Sequence, residues 1–496
     1  MEYILGAGLL TRPTRPDVRG GPPEGVNVTT PPQVIDGRSA AQVGAPPAQA
    51  RTSLAVAAVG TMLALVAFTT PIATLNAVSA DLGADVAGRT WILSSMGIGL
   101  GAALLMAGTL ADDFGRRRLI VGGLALLAGA SAAGALAPTT GALVLARVVQ
   151  GVGAAAVIAS SLGLVAQWHA PGPARAAASG VWGASVGAGI AVGPLLSSYL
   201  ERVATWRDAF WVVAVASLVG AAWGRWRLVE VRSTSPRGMD LAGTVLFGTS
   251  VTTLLAALVE GRQGWARPVV MTLVAVSLAS AVAFVVAERR NPAAMLEPAL
   301  FRSRRFVAAT VGALATGIGI IGLLSFMPGF LGLALGLPAT AAALLVLAWS
   351  ATSVATSLLA RRIPARVGGR LQLAGGLIGV ATGQLLLGGL TSATTLPRLL
   401  PGLLVAGAAS GVLNAALGRE AVASVPADRG GMGSGANNTA RYVGSAIGVT
   451  VVSVVVANHA TVPAPPGLIA GWNVAAVVTA LFSLAGAAVI LLARER

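Results

Sequence analysis

Fourteen apolar runs, the first at residues 53–80 and the last at 468–493, are separated by short polar breaks along the 496-residue chain. A helix rises about 1.5 Å per residue and a bilayer core is about 30 Å thick, so roughly 20 apolar residues make one crossing. With 55% hydrophobic and 10% charged residues, the chain has too little polar side chain to cover a water-exposed globule. In lipid every backbone N–H and C=O must be satisfied within the chain, which makes each run a helix. The expected fold is an all-α polytopic membrane protein with 14 transmembrane helices. The runs at 306–335 and 338–360 are parted only by Gly336-Leu337-Pro338.

Residues 1–52, with Pro22-Pro23, Pro31-Pro32 and Pro46-Pro47, cannot bury a core and are expected to form a disordered cytoplasmic tail. The opening MEYILGAGLL is too short to span and lacks a cleavage site, so no removed signal peptide is expected. Residues 53–224 form a first six-helix half, 225–305 a linker with a two-helix insert, and 306–496 a second six-helix half. A faint parallel repeat supports this division, because the basic loop RRIPARVGGR at 361–370 follows the start of its half at the spacing of the 108–118 loop. Chance likeness of two basic loops would give the same pattern.

The chain has no lysine, so its 34 basic residues are all Arg, and their positions fix an orientation. With both termini cytoplasmic, 26 arginines lie inside and six outside, while Arg147 and Arg441 fall within spans. Lipid-facing positive charge then accounts for the net +16 without nucleic acid. The chain has no cysteine, so no disulfide is possible, and His169 and His459, placed in loops, form no metal cluster.

Between spans 2 and 3 stands GTLADDFGRRR, Gly108 to Arg118. Gly108 and Gly115 permit close approach, while Asp112 can pair with Arg116 or Arg117 across the cytoplasmic face and latch a gate. A solvated loop serving only as a topology anchor is the plainer alternative. The run resembles the signature loop of the major facilitator superfamily, except that Asp113 stands where that family more often has a basic residue. Span 4 carries LARVVQGVGAA, with Arg147, Gln150 and Gly151. It resembles the arginine motif of the family's drug exporters, for which proton-transfer and structural roles are proposed. Span 5 places Gly180, Gly189, Gly193 and Pro194 at the spacing of the antiporter motif, with Ser197-Ser198 replacing its usual Gly-Gly. Such glycines let helices pack backbone to backbone, and Pro194 favours a kink, though small residues also serve ordinary packing. Span 13, Gly433 to Gly448, is similar to the matching helix of the fourteen-helix drug:proton antiporters. The resemblance covers residues 53 to 493.

Span 1 departs from that branch. Phe68-Thr69-Thr70-Pro71 puts Thr69 where the branch carries an acid. Of 18 Asp and Glu, thirteen fall in the tail or cytoplasmic loops, and Asp81, Asp85, Glu201, Asp208 and Glu260 lie near the outer face. The usual proton carrier is missing. Buried charge in a membrane is costly, which singles out Arg147 and Arg441, although Arg441 could also snorkel to the surface. Uncharged cavity candidates are Thr69, Asn76, Trp182 and Gln384 together with Asn414, Asn437 and Asn438; each could equally be an interhelical hydrogen-bonding residue.

No phosphate-binding loop can form without lysine, and no nucleophile, base or metal set lies at membrane depth, so neither a primary pump nor an enzyme is expected. No cofactor is expected either. The resemblance implies a secondary transporter in the cell membrane, a monomer working with lipid and protons, that exports drugs, antibiotics or an endogenous metabolite. A non-transporting sensor or scaffold, and an uptake transporter, are the alternatives.

Overall fold

The computed structural model describes residues 47–493, apart from 234, 235, 237, 292, 293, 338, 365 and 460–465. The expected tail therefore lies outside the described residues up to residue 46. Residues 47–52 are helical: α1 spans Pro47–Leu82 and begins ahead of the expected boundary. Proline is well suited to a first helical turn, and the Gln49 amide donates to the Arg227 carbonyl (3.2 Å), tying this extension to the end of α6.

The remaining helices of the first half are α2 (Val86–Phe114), α3 (Arg116–Ala135), α4 (Thr140–Trp168), α5 (Pro173–Val203) and α6 (Trp206–Arg227). The expected insert falls on α7 (Leu241–Gly261) and α8 (Pro268–Arg290). The second half is α9 (Arg304–Leu335), α10 (Ala339–Leu359), α11 (Gly369–Leu386), α12 (Leu400–Ala423), α13 (Gly430–His459) and α14 (Pro466–Leu492). Side-chain caps start several of them: Asp85 accepts from Gly88 N (2.7 Å), Thr139 from Ala142 N (3.2 Å) and Asp240 from Gly243 N (2.8 Å). Gly115 alone separates α2 from α3, at φ 120°, and Gly336 ends α9 at φ 64°.

Among the described residues, thirteen helices are long and apolar enough to cross a membrane. The other is α11, whose 18 residues include Arg370, Gln372 and Gln384. It ends before the expected residue 390 because Gly389 adopts φ 68° and the Asn473 amide takes over both the N–H and the C=O of Leu390, each at 2.9 Å. His459 closes α13 instead of lying in a loop, with Nδ1 2.8 Å from the Val455 carbonyl.

Within the first half α2 packs on α4, α1 on α5, and α3 on α4 and α6. Within the second, α11 packs on α12 and α14, α10 on α12, and α13 on α9 and α14. The halves meet where α13 crosses α2 and α4, and where α5 crosses α10 and α12. Helix α7 leans on α2 and α13, and α8 packs on α7 with most of its surface exposed. Glycine makes the closest crossings possible. A β-carbon on Gly435 would stand 2.5 Å from the Leu104 carbonyl, and one on Gly448 2.8 Å from Ile318 Cα.

Candidate binding cavity and its sealed end

A cavity of about 580 Å³ opens between the two halves. Helix α1 contributes Phe68, Thr69, Ile72 and Asn76; α5 contributes Ile190 and Pro194; α9 contributes Ile321 to Leu333; α10 contributes Val346 and Trp349; α13 contributes Arg441 and Tyr442. These positions sit in the half of the bundle away from the arginine-rich α2–α3 loop, and Arg89, at the start of α2, stands at the mouth. The wall of α9 is irregular. A π-helical turn at Gly317–Ile321 and Pro328 interrupt its regular hydrogen bonding at the height of the cavity.

The arginine-rich end is closed. Asp112 is fully buried and its carboxylate accepts from Arg116 Nη2 (2.8 Å) and Nε (3.2 Å), Gly431 N (2.9 Å) and Met432 N (2.8 Å). The last two are free N–H groups of the first turn of α13, so an acid from the first half caps a helix of the second. Arg116 also donates to the Gly163 carbonyl (3.1 Å), Gln167 Oε1 (3.2 Å) and the Asp428 carbonyl (3.2 Å). Asp113, the departure from the family's loop, pairs with Arg429 at 2.6 Å, both side chains buried. The opposite charge is thus supplied from the approach to α13. Glu230 supports the loop by accepting from Arg117 N (3.0 Å), and Arg117 Nη2 donates to the Arg225 carbonyl. Gly115 is needed for its positive φ and because Glu230 stands where a β-carbon would go.

Helix α5 seals against two partners. At the closed end Ser357 Oγ of α10 donates to the Gly180 carbonyl (2.9 Å). Beside the cavity, a β-carbon on Gly189 would stand 2.6 Å from Leu65 Cβ and 2.7 Å from the Met62 carbonyl. Gly193 meets the Thr69 side chain in the same way, with the Val66 carbonyl 2.9 Å away. Gly189→Leu is therefore expected to push α5 off α1, costing about 1–3 kcal/mol as overpacking does. Thermal unfolding followed by size-exclusion chromatography should show the loss, and an unchanged midpoint would refute the contact.

Arg147 sits at 0% exposure in α4. Pro71 has no N–H, so the Ala67 carbonyl lacks its normal helical donor, and Arg147 Nη1 donates to it at 2.6 Å. Nη2 donates to the Phe68 carbonyl (3.0 Å), Nη1 also to Gln150 Oε1 (3.0 Å), and Gln150 Nε2 to Ser131 Oγ (2.8 Å). The guanidinium thus anchors the backbone of α1 immediately before Thr69, which with Phe68 lines the cavity. Gly151 packs on α2, where a β-carbon would stand 2.6 Å from Leu100 N.

Of the uncharged candidates, Thr69 and Asn76 line the cavity. Thr69 Oγ1 donates back to the Leu65 carbonyl (2.9 Å). The others lie away from the cavity, buried between helices. Trp182 Nε1 donates to Ser161 Oγ (2.9 Å), Asn437 to the Ala309 carbonyl (2.9 Å) and Asn438 to the Ser434 carbonyl (3.0 Å). Gln384 accepts from Ser483 (2.9 Å), and Asn414 backs against Gly183 of α5. Arg441 does not snorkel. It lies about 16 Å along α13 from its first residue, 6% exposed. Sequence reading missed Tyr442, which meets Phe68 edge to face at 5.8 Å, and Trp349. It also missed Arg429, although its sign opposite Asp113 was a usable signal.

The family model described as Major Facilitator Superfamily matches residues 57–449. The puromycin resistance protein pur8 of Streptomyces alboniger is 31% identical, covering 81% of this chain and 82% of its own. The multidrug resistance protein Stp of Mycobacterium tuberculosis is 30% identical, covering 75% of this chain and 69% of its own. Among solved structures, the human organic anion transporter MFSD10 superposes with a TM-score of 0.63 over 90% of this chain and 100% of its own. At 16% identity this is a likeness of fold alone.

Proposed function

The chain belongs to the Major Facilitator Superfamily, and from that premise we propose that it exports small hydrophobic molecules, drugs or antibiotics among them, by alternating access. The observation that carries this reading is the cavity between the halves, open at one end and locked at the other by Asp112 on the α13 N-terminus. With the arginine-rich end placed in the cytoplasm and both termini with it, this conformation faces outward in the cell membrane. Relatives that are antibiotic and multidrug resistance proteins support export over uptake. Proton linkage is part of the proposal, with a monomer as the working unit. Asp112 is already saturated with donors, while Glu260, at the open end, accepts from Trp91 Nε1 (2.8 Å) and Arg267 (2.7 Å).

Purified protein in liposomes, offered puromycin, a neutral aromatic compound and an aromatic carboxylate under imposed pH gradients and potentials, tests the reading. Flux of at least one compound tenfold above protein-free vesicles is expected. No flux of any compound under any gradient would favour the scaffold reading.

A further inference from the structure

We propose that the Arg441 guanidinium is an anion-recognition site and that the cavity takes organic anions with a flat aromatic body. This names the substrate class of the export reading and rests on it for transport, while binding can be tested by itself. Four arginines are buried among the described residues: Arg116, Arg147, Arg429 and Arg441. Arg116 faces Asp112, Arg429 faces Asp113, and Arg147 faces two carbonyls and Gln150. Arg441, in contrast, lines the cavity and has no hydrogen bond or ion pair to any described residue. Its ionisable neighbour is the phenol of Tyr442.

A largely buried cation with no acceptor on the protein is unfavourable, and a ligand carboxylate, sulfonate or phenolate entering the cavity would supply what the protein does not. The rest of the lining agrees. Its other charged group is Arg89 at the mouth, and it contains no carboxylate. Phe68, Tyr442, Ile72, Leu324 and Trp349 offer apolar and aromatic surface for the body of such a molecule. The pairing also bears on the missing acid of α1. If the loaded carrier holds Arg441 with an anion and returns empty, each cycle moves one negative charge outward. An inside-negative potential favours that net movement, adding to the drive that a proton gradient supplies.

Three probes of one shape separate the charges: 2-naphthoate, 2-naphthamide and 2-naphthyltrimethylammonium, bound to the full chain in phosphatidylcholine nanodiscs. Naphthoate is expected to bind at least tenfold tighter than the ammonium. Arg441→Gln should weaken naphthoate at least tenfold and naphthamide less than twofold, and Arg441→Lys should restore most of the loss. Equal affinity for naphthoate and the ammonium in the unaltered protein overturns the site without any variant, as does an Arg441→Gln protein that keeps its naphthoate affinity. An anionic lipid headgroup shares this chemistry. Adding phosphatidylglycerol should leave naphthoate binding unchanged; if it displaces the probe, the site belongs to lipid and the substrate class falls. Naphthoate bound tightly but never carried into liposomes would leave the anion site standing and remove the export reading.

Discussion

Asp112→Asn is expected to unlock the arginine-rich end and to cut transport at least tenfold while leaving the fold intact. The carboxylate accepts four hydrogen bonds and carries the counter-charge of Arg116, itself 1% exposed. An amide would turn one oxygen into a donor facing donors, and would leave the guanidinium buried without its ion pair. Breaking a buried pair in this way costs about 3–5 kcal/mol. About 5.5 kcal/mol moves a two-state equilibrium from 1:99 to 99:1, so the loss is enough to redistribute the conformers. The fold survives because only this conformation needs the contact; opening the end gives Arg116 water. The chain has no cysteine, so one introduced thiol reports cleanly. Ser434→Cys lies at the sealed crossing, fully buried beside the Ile158 carbonyl. Its labelling by a membrane-impermeant maleimide should be at least tenfold faster with Asp112→Asn. Equal labelling rates would show that the latch does not hold this end shut.

The helices were legible because lipid leaves the backbone few choices: a run of about 20 apolar residues must be helical, and its ends fall at charges, glycine or proline. Where the reading slipped, polar contacts made by distant residues decided the matter. Asn473 caps Leu390 and ends α11 early, and Gln49 reaches Arg227 and starts α1 early. The lock was half legible. Asp112 and Arg116 stand four apart around a glycine, so their pairing could be expected, but their docking on Gly431 and Met432 joins positions more than three hundred residues away. Polar residue type could not separate cavity from packing. Asn76 and Asn437 look alike in sequence, yet one lines the cavity and the other bonds α9. What distinguishes them is height and rotation along each helix, set by which glycines let which backbones touch. The gap left by Thr69 was the more useful signal, because with no acid in α1 the arginines are the charges left in the membrane interior.

Pro71→Ala and Arg147→Met should each harm the protein more than the two together. Pro71 leaves the Ala67 carbonyl without a helical donor, and Arg147 fills the vacancy at 2.6 Å while bonding the Phe68 carbonyl at 3.0 Å. Removing the arginine orphans the buried Ala67 carbonyl, at about 1–3 kcal/mol for an unsatisfied group. Restoring an N–H at position 71 lets the helix claim the Ala67 carbonyl for itself. Arg147 then keeps its charge at 0% exposure with one acceptor fewer, which is unfavourable in turn. In the double variant α1 satisfies its own backbone and no charge is left buried, so most of the stability should return, with a coupling of about 1–3 kcal/mol within the range seen for residues in contact. Transport should not return with it. Arg147 ties α1 to α4 where Phe68 meets Tyr442 and Thr69 lines the cavity, and the double variant loses that tie. Thermal midpoints for the four proteins, measured beside flux, test both halves of the expectation. Additive losses of stability would break the link between the proline and the arginine, and a fully active double variant would show that the tie of α1 to α4 is not needed for transport.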